Sequence, residues 1–404
     1  MRVAIIGGGA AGFFAAITAK EKHPEAKIVI FEKSKAVLSK VKISGGGRCN
    51  LTHATDAIDE LCKAYPRGGK KLKNAFHIFS NKDCMAWFEA RGVPLTIQDD
   101  LCVFPKSQDS QSIVDCFLNE TSRLDVRVET GKEVKAIQRK DAAFELHFKE
   151  EKIKPAIFDK VIVTTGGSPK RNELDWLENL GHKIEDPVPS LFTFNMPGES
   201  VSQLMGIVVE NAIVSVQGTK FKAAGPLLIT HWGMSGPAVL KLSSFAARHL
   251  SEMKYQFNVQ VNWVNEENQE MVLRNLLDII NAHPSKALSN FRPFDLPSRL
   301  WLYMLDKSAL QHTKRWNELS KKGLNQLVNL LTNDSYAVNG KTTFRDEYVT
   351  CGGVSLESID MKSMQSKSCE GIYFAGEIMD IDAITGGFNL QAAWTTGYIA
   401  GQFI

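Results

Sequence analysis

Gly7-Gly8-Gly9-Ala10-Ala11-Gly12 reads G-x-G-x-x-G, and its setting restricts the fold more than any other feature of the chain. Val3-Ala4-Ile5-Ile6 before it is a short apolar run without helical period, the pattern of a buried parallel strand. Ala10 to Glu21 predicts a helix of small residues that His23-Pro24 ends. Lys27-Ile28-Val29-Ile30-Phe31 predicts a second strand, so the opening of the chain is a βαβ unit. In such a unit Gly7 permits the tight turn, Gly9 lets backbone approach a pyrophosphate, and Gly12 lets helix and strand pack closely. Ala10 and Ala11 lie in the first helical turn, whose free N–H groups and positive dipole end face the phosphates. Glu32 lies 20 residues after Gly12, where an acid accepts hydrogen bonds from a ribose diol. Lys33 follows it as a further cofactor candidate. The uncharged run Val3 to Ala19 also fits an apolar leader, but Gly7, Gly8, Gly9 and Gly12 interrupt it.

At roughly 100–200 residues per domain, 404 residues predict two or three domains. With 44% hydrophobic and 23% charged residues the chain is neither disordered nor fibrous. The 48 Lys+Arg against 45 Asp+Glu leave +3, too little to make nucleic acid or an anionic membrane the expected partner. The seven cysteines are odd in number and show no CxxC spacing, and the nine histidines do not cluster. Neither a disulfide framework nor a metal site is expected. No segment reaches the roughly 18 apolar residues of a membrane span. The expectation is a cytoplasmic protein with reduced thiols acting on a small-molecule substrate.

Residues 125 to 163 read as β structure. Phe144, Leu146 and Phe148 alternate with Glu145, His147 and Lys149, which puts His147 on the polar surface. Val161-Ile162-Val163 is a continuous apolar strand ending in Thr165-Gly166-Gly167. Tyr255, Phe257, Val259, Val261 and Trp263 alternate with polar residues, an antiparallel strand. Between 269 and 335 the period becomes helical: Leu273, Leu276, Leu277 and Ile280 share one face, as do Leu324, Leu327, Val328 and Leu331. Ile372-Tyr373-Phe374 and the stretch Phe388 to Ala400 return to the opening style, a buried strand and a helix. The fold class expected is α/β: a Rossmann-like cofactor domain with a parallel sheet and a β-meander, interrupted by an antiparallel β-barrel-like domain with a helical insert. The boundaries expected are 1–188 and 348–404 for the cofactor domain, 189–265 for the β domain with a returning segment at about 336–347, and 266–335 for the helical insert.

The first motif alone does not separate NAD from FAD. Three further features favour FAD. Ser44-Gly45-Gly46-Gly47-Arg48-Cys49-Asn50 is a loop whose backbone N–H groups can cradle an extended ligand. Thr165, Gly166 and Gly167 end a strand, where open α/β sheets bind ligands. Gly386-Gly387-Phe388-Asn389 starts a helix, and its positive end beside a flavin would stabilise the reduced ring.

These blocks, with Thr230-His231-Trp232-Gly233-Met234-Ser235-Gly236-Pro237, Gly352-Gly353-Val354 and Tyr373-Phe374-Ala375-Gly376-Glu377, resemble the BaiN-like family of bacterial FAD flavoproteins, also called YhiN-like or aminoacetone-oxidase-like. They span nearly the whole chain in order. The resemblance implies tightly held FAD and oxidoreductase chemistry. It also implies cofactor contacts at the motif positions above, including Gly376, Glu377, Gly387, Phe388 and Asn389, with Lys42, Val134 and Leu390 as further candidates. The chain departs from the family at Ser168 to Asn172, where members carry a longer Ser/Gly-rich loop. It departs again at Leu101-Cys102, where members carry Gly-Arg before the equivalent of Val103-Phe104-Pro105.

In a flavoenzyme the protein supplies position, electrostatics and a proton. Arg48 is a catalytic candidate, able to hold a carboxylate, a phosphate or a flavin carbonyl, and equally able to pin its own loop. His231 is the candidate general acid, with a structural histidine as the alternative. Cys49 lacks a second thiol close in sequence and reads as a packed, inert cysteine. The run Arg67, Lys70, Lys71, Lys73 reads as a solvated helix face. The expectation is an FAD-dependent oxidoreductase passing a hydride through flavin N5, with NAD(P)H as a transient donor. The alternatives are a flavin-dependent RNA-modifying enzyme and a non-catalytic flavin sensor.

Overall fold

A computed structural model of the chain describes residues 1–342 and 349–404. Two compact units emerge, one built from residues 1–190 and 349–404, the other from residues 191–342. The expected returning segment and the expected start of the second cofactor-domain part at 348 lie partly outside the described residues.

In the first unit, strand β1 (Arg2–Ile6), helix α1 (Ala10–Lys22) and strand β2 (Lys27–Phe31) form the βαβ unit. β1 pairs in parallel with β2 on one side, Ile5 opposite Ile30, and with Lys160–Val163 on the other, Ile5 opposite Ile162. Ile372–Phe374 adds in parallel to Lys160–Val163, and Arg127–Glu129 adds in parallel to β2. The central strands do not alternate apolar with polar residues because both sheet faces are covered: Val3, Ala4 and Ile5 are each fully buried. Val134–Lys140, Ala143–Phe148 and Ala156–Phe158 form the antiparallel meander. Phe144, Leu146 and Phe148 face its core as their alternation requires. His147 is half-buried rather than on the surface, with its Nε2 3.3 Å from Glu145.

The closing helix, Phe388–Phe403, packs against α1. The contact is close because it runs over glycine: a Cβ on Gly397 would lie 2.7 Å from the Ala11 carbonyl oxygen, and one on Gly401 2.5 Å from that of Ala15.

The second unit is an antiparallel sheet of the strands Asp334–Asn339, Gln256–Asn262, Val208–Val216, Lys222–Thr230, Gly233–Ser235, Thr193–Asn195 and Lys341–Thr342, in that spatial order. Its first and last members are one stretch of chain bent at Gly340, whose φ is +101°. The sheet therefore closes on itself as a barrel does. Helices Gln269–Ala282, Ser298–Lys307 and Lys321–Asn333 share its hydrophobic core. Leu324, Leu327, Val328 and Leu331 face that core as expected. On Gln269–Ala282 the buried residues are Val272 and Leu276, while Leu277 is exposed. The period predicted a stripe about one position wider than the core covers.

Candidate functional site

The turn after β1 is built by exclusion of side chains. Gly7 has φ +116°, and a Cβ there would sit 2.3 Å from the Thr164 carbonyl oxygen. Thr164 Oγ donates to the carbonyls of Ile6 and Gly7, which locks the turn to the end of Lys160–Val163. Gly9 caps α1 without any side-chain partner, no acid stands in the first turn, and a Cβ at Gly9 would meet nothing within 4 Å. The first-turn N–H groups of α1 have no intrahelical acceptor, and at Gly9 the helix start opens onto space, the arrangement a phosphate fills.

Glu32 stands across from this turn. Its Oε2 accepts the Gly8 N–H at 2.8 Å, and its Oε1 accepts the N–H and hydroxyl of Ser34 at 2.8 and 2.9 Å. A carboxylate offers about four lone-pair sites, so one remains for a ribose hydroxyl. Lys33 is exposed beside it, as is Lys42 in the following segment.

The loop Ser44–Gly47 runs through left-handed backbone, with φ +58°, +68° and +84° at Gly45, Gly46 and Gly47. Gly46 and Gly47 face open space. Arg48 closes the loop on itself: its Nε donates to the Gly45 carbonyl at 3.3 Å, its Nη1 to Gln108 Oε1 at 3.2 Å, and its guanidinium lies 4.2 Å from the Phe104 ring centroid. Of its two sequence readings, this geometry is that of the loop pin. Cys49 is fully buried, and burial pushes its thiol up to about 12.

Asn50 Oδ1 is buried without a hydrogen-bond partner, and a Cβ on Gly387 would lie 2.8 Å from it. An unpaired buried acceptor costs about 1–3 kcal/mol, so this atom is one that a ligand donor could satisfy. Gly387, φ +85°, caps the closing helix with no side-chain partner. Phe388 stacks on His53 with centroids 4.7 Å apart. Asn389 is turned inward, its side chain bonded to both backbone groups of Ala383 at 2.9 and 3.1 Å, so it shapes the turn rather than facing out. Leu390 is half-buried.

Thr165, Gly166 and Gly167 follow Lys160–Val163, and Gly167 is jammed: a Cβ would be 2.2 Å from Thr350 Oγ1 and 2.5 Å from Glu377 Oε1. Glu377 accepts the Thr350 N–H at 2.9 Å and Lys40 Nζ at 2.8 Å. Gly376 approaches Ala11, where a Cβ would come within 2.9 Å of the alanine methyl. Gly7 to Gly12, Glu32, Ser44 to Asn50, Thr165 to Gly167, Gly376-Glu377 and Gly387 are thus all parts of one unit, joined in pairs by these contacts. Val134 is a half-buried residue at the start of the meander.

His231 belongs to the second unit. It is exposed, with its ring edge-on to Trp232 at 4.4 Å. A shallow groove of about 520 Å³ in that unit, lined by Gln217, Met253, Phe257 and Ala337, contains none of the motif residues. Arg67 departs from the expected solvated helix face. Its guanidinium is buried against Asp382, while Lys70, Lys71 and Lys73 are exposed on Gly69–Ile78. Sequence reading missed this pair, since nothing local to Arg67 or Asp382 links positions 315 residues apart. Among the described residues there is no cluster able to hold a metal ion, and no helix is long and apolar enough to cross a membrane.

The open glycine cradles, the orphaned Asn50 acceptor and the Glu32 carboxylate fit FAD. Residues 1–403 match the family described as HI0933-like protein Rossmann domain. The chain is 26% identical to the 3-dehydro-bile acid delta(4,6)-reductase of Clostridium scindens, over 99% of this chain and 98% of that protein. It is 28% identical to the ribosomal RNA dihydrouridine synthase of Escherichia coli, over 98% of this chain and 96% of that one. The solved 3-ketosteroid-delta4-(5alpha)-dehydrogenase of Rhodococcus jostii shares the fold, with a TM-score of 0.51 at 12% identity over 99% of this chain and 95% of its own. Fold, cradle and relatives define an FAD-dependent oxidoreductase. Within that class the chain belongs to the HI0933-like Rossmann family.

Proposed function

We propose that this oxidoreductase reduces a carbon–carbon double bond conjugated to a carbonyl group, with NAD(P)H as electron donor. The observation that carries the reading is the whole-length likeness to two reductive relatives whose printed names share one chemistry. A 3-oxo-Δ4 steroid and a uracil ring both present a C=C bond polarised by a neighbouring carbonyl. Bound FAD would supply the hydride acceptor and donor at N5. The chain's residues would do the rest. The α1 N-terminus and Gly46-Gly47 would hold the phosphates and the extended cofactor, and Glu32 the ribose diol. The Gly387 turn would meet the pyrimidine edge of the ring, where Asn50 Oδ1 would accept a hydrogen bond from its imide N–H. Adding hydride to the β-carbon leaves an enolate, which needs one proton at the α-carbon.

Two substrate classes offer this bond. The near-neutral charge of the chain favours a small enone. The Escherichia coli relative and the exposed Lys70 and Lys71 favour a uridine within RNA. The test begins with anaerobic addition of NADH and, separately, NADPH to the flavin-loaded protein, followed by bleaching of its visible spectrum. The reduced protein is then mixed with a 3-oxo-Δ4 steroid, or with ribosomal RNA lacking dihydrouridine. Recovery of the oxidised spectrum with a saturated product from either acceptor supports the reading and selects the class. A reduced flavin that neither acceptor reoxidises would overturn it.

A further inference from the structure

The Asp382 carboxyl has no exposed surface, and the Arg67 guanidinium beside it is 14% exposed. Arg67 meets it with both arms of its fork, Nε on Oδ1 at 2.5 Å and Nη2 on Oδ2. Ser190 Oγ donates to Oδ2 at 2.7 Å. The backbones of Arg67 and Asp382 also form an antiparallel bridge.

The same two segments are tied twice more, and the second is braced from within. The Ile384 N–H donates to the Ala64 carbonyl at 2.9 Å. The buried Tyr65 hydroxyl donates to the Phe388 carbonyl at 2.6 Å. Asn389 holds Ala383 from inside the turn. Residues 64–67 therefore grip residues 382–388, the stretch that ends in Gly386-Gly387 and the start of the closing helix. A buried ion pair is a poor device for stability alone, because well-packed apolar residues of similar volume often do as well. What a bidentate, charge-assisted pair adds is a defined register.

We propose that Arg67 and Asp382 are positioning residues for the cofactor: their fork fixes the Gly386-Gly387 turn so that the first-turn N–H groups of the closing helix stand at the flavin pyrimidine edge. The inference rests on the FAD reading above. A helix N-terminus held there favours the negative charge of the reduced ring. A loosened turn lets that end retreat, so the flavin becomes harder to reduce.

The test measures FAD affinity, the flavin midpoint potential and Tm for the wild type and three variants. Arg67→Lys keeps the charge and loses the fork. Asp382→Asn removes the carboxylate charge and leaves the fork one amide oxygen as acceptor. The double variant Arg67→Met/Asp382→Leu removes both charges and restores an apolar contact. The expected result is about a fivefold fall in the preference for reduced over oxidised FAD in Arg67→Lys and in the double variant. For a two-electron couple that is a potential lower by about 20 mV. A double variant with restored Tm and lowered potential separates positioning from folding. Wild-type potential and FAD affinity in both Arg67→Lys and the double variant would overturn the proposal while leaving the cofactor reading intact. A wild-type protein that holds no FAD would overturn the cofactor reading itself.

Discussion

Gly12 and Gly7 approach so closely that a Cβ on Gly12 would lie 2.0 Å from the Gly7 carbonyl oxygen. No side chain survives that distance, so Gly12→Ala must push α1 off its turn. A loss of about 1–3 kcal/mol in stability is expected, as for other overpacked sites, together with loss of FAD retention. Thermal unfolding and the flavin content of the purified variant check both. Gly9→Ala is the contrast. Its φ of −98° is ordinary and nothing stands within 4 Å, so Tm should hold while FAD affinity falls, because the methyl takes the place of a phosphate. A Gly9→Ala variant that binds FAD like the wild type would contradict the phosphate role of the turn.

Glu32 is bonded to Gly8 and Ser34 in the protein itself. Glu32→Ala removes these three bonds and the proposed ribose contact. Hydrogen bonds to a charged group are worth about 1.5–3 kcal/mol, so FAD should bind roughly 10- to 100-fold more weakly. Fluorescence titration of the apoprotein with FAD reads this directly. AMP should weaken in parallel if the lost contact is at the adenosine end, and riboflavin should not.

Cys49 is buried with its thiol pushed up to about 12. At neutral pH it should resist alkylation while the native fold lasts. Cys62 is half-buried and reachable, so it should label first. Mass spectrometry of the native protein after a timed exposure to iodoacetamide separates the two, and prompt labelling of Cys49 would reopen a redox role for it.

Glu120 is held below the usual carboxylate range, first by its hydrogen bond from Arg123, against a smaller opposing effect of burial, and then by Arg91. The sign follows from linkage. A depressed folded pKa contributes stability above the unfolded value near 4.3, and that contribution is lost as the pH falls through the folded value. The Arg123 side chain is more than half exposed, and solvent screening keeps the contribution to about 1 kcal/mol or less. Glu120→Gln should lower Tm at pH 7 and converge with the wild type at acid pH. Parallel Tm curves across pH 3 to 7 would show that the pair contributes nothing.

Local pattern carried most of the cofactor unit. The strands around Ile5, Ile30 and Ile162 are buried on both faces, so their residues are apolar without interruption and can be read directly. The glycines at 7, 12 and 387 are legible for a similar reason. Each is needed where backbone meets backbone or φ is positive, and few other residues can stand there. The helical period misled at Leu277, because amphipathicity reports which face could be buried, while the width of the covered stripe depends on what packs there. His147 was misplaced for a related reason: the polar face of the meander is only partly open to solvent.

Arg67 marks the limit of that kind of reading. Its neighbours Lys70, Lys71 and Lys73 are exposed, and the charge run suggests a solvated face throughout. Asp382, which captures it, arrives from the far end of the chain. Residue type and spacing alone determined the strand–turn–helix and the glycine cradle, since each depends on groups a few residues apart, while FAD over NAD was favoured only by three blocks spread along the chain. The folded structure decided that Arg48 pins its own loop, that Asn50 keeps an unpaired acceptor, and that Arg67 meets Asp382. Those outcomes depend on which distant groups share a desolvated space, and a free carboxylate or guanidinium shows no preference for a partner until the fold brings one within reach.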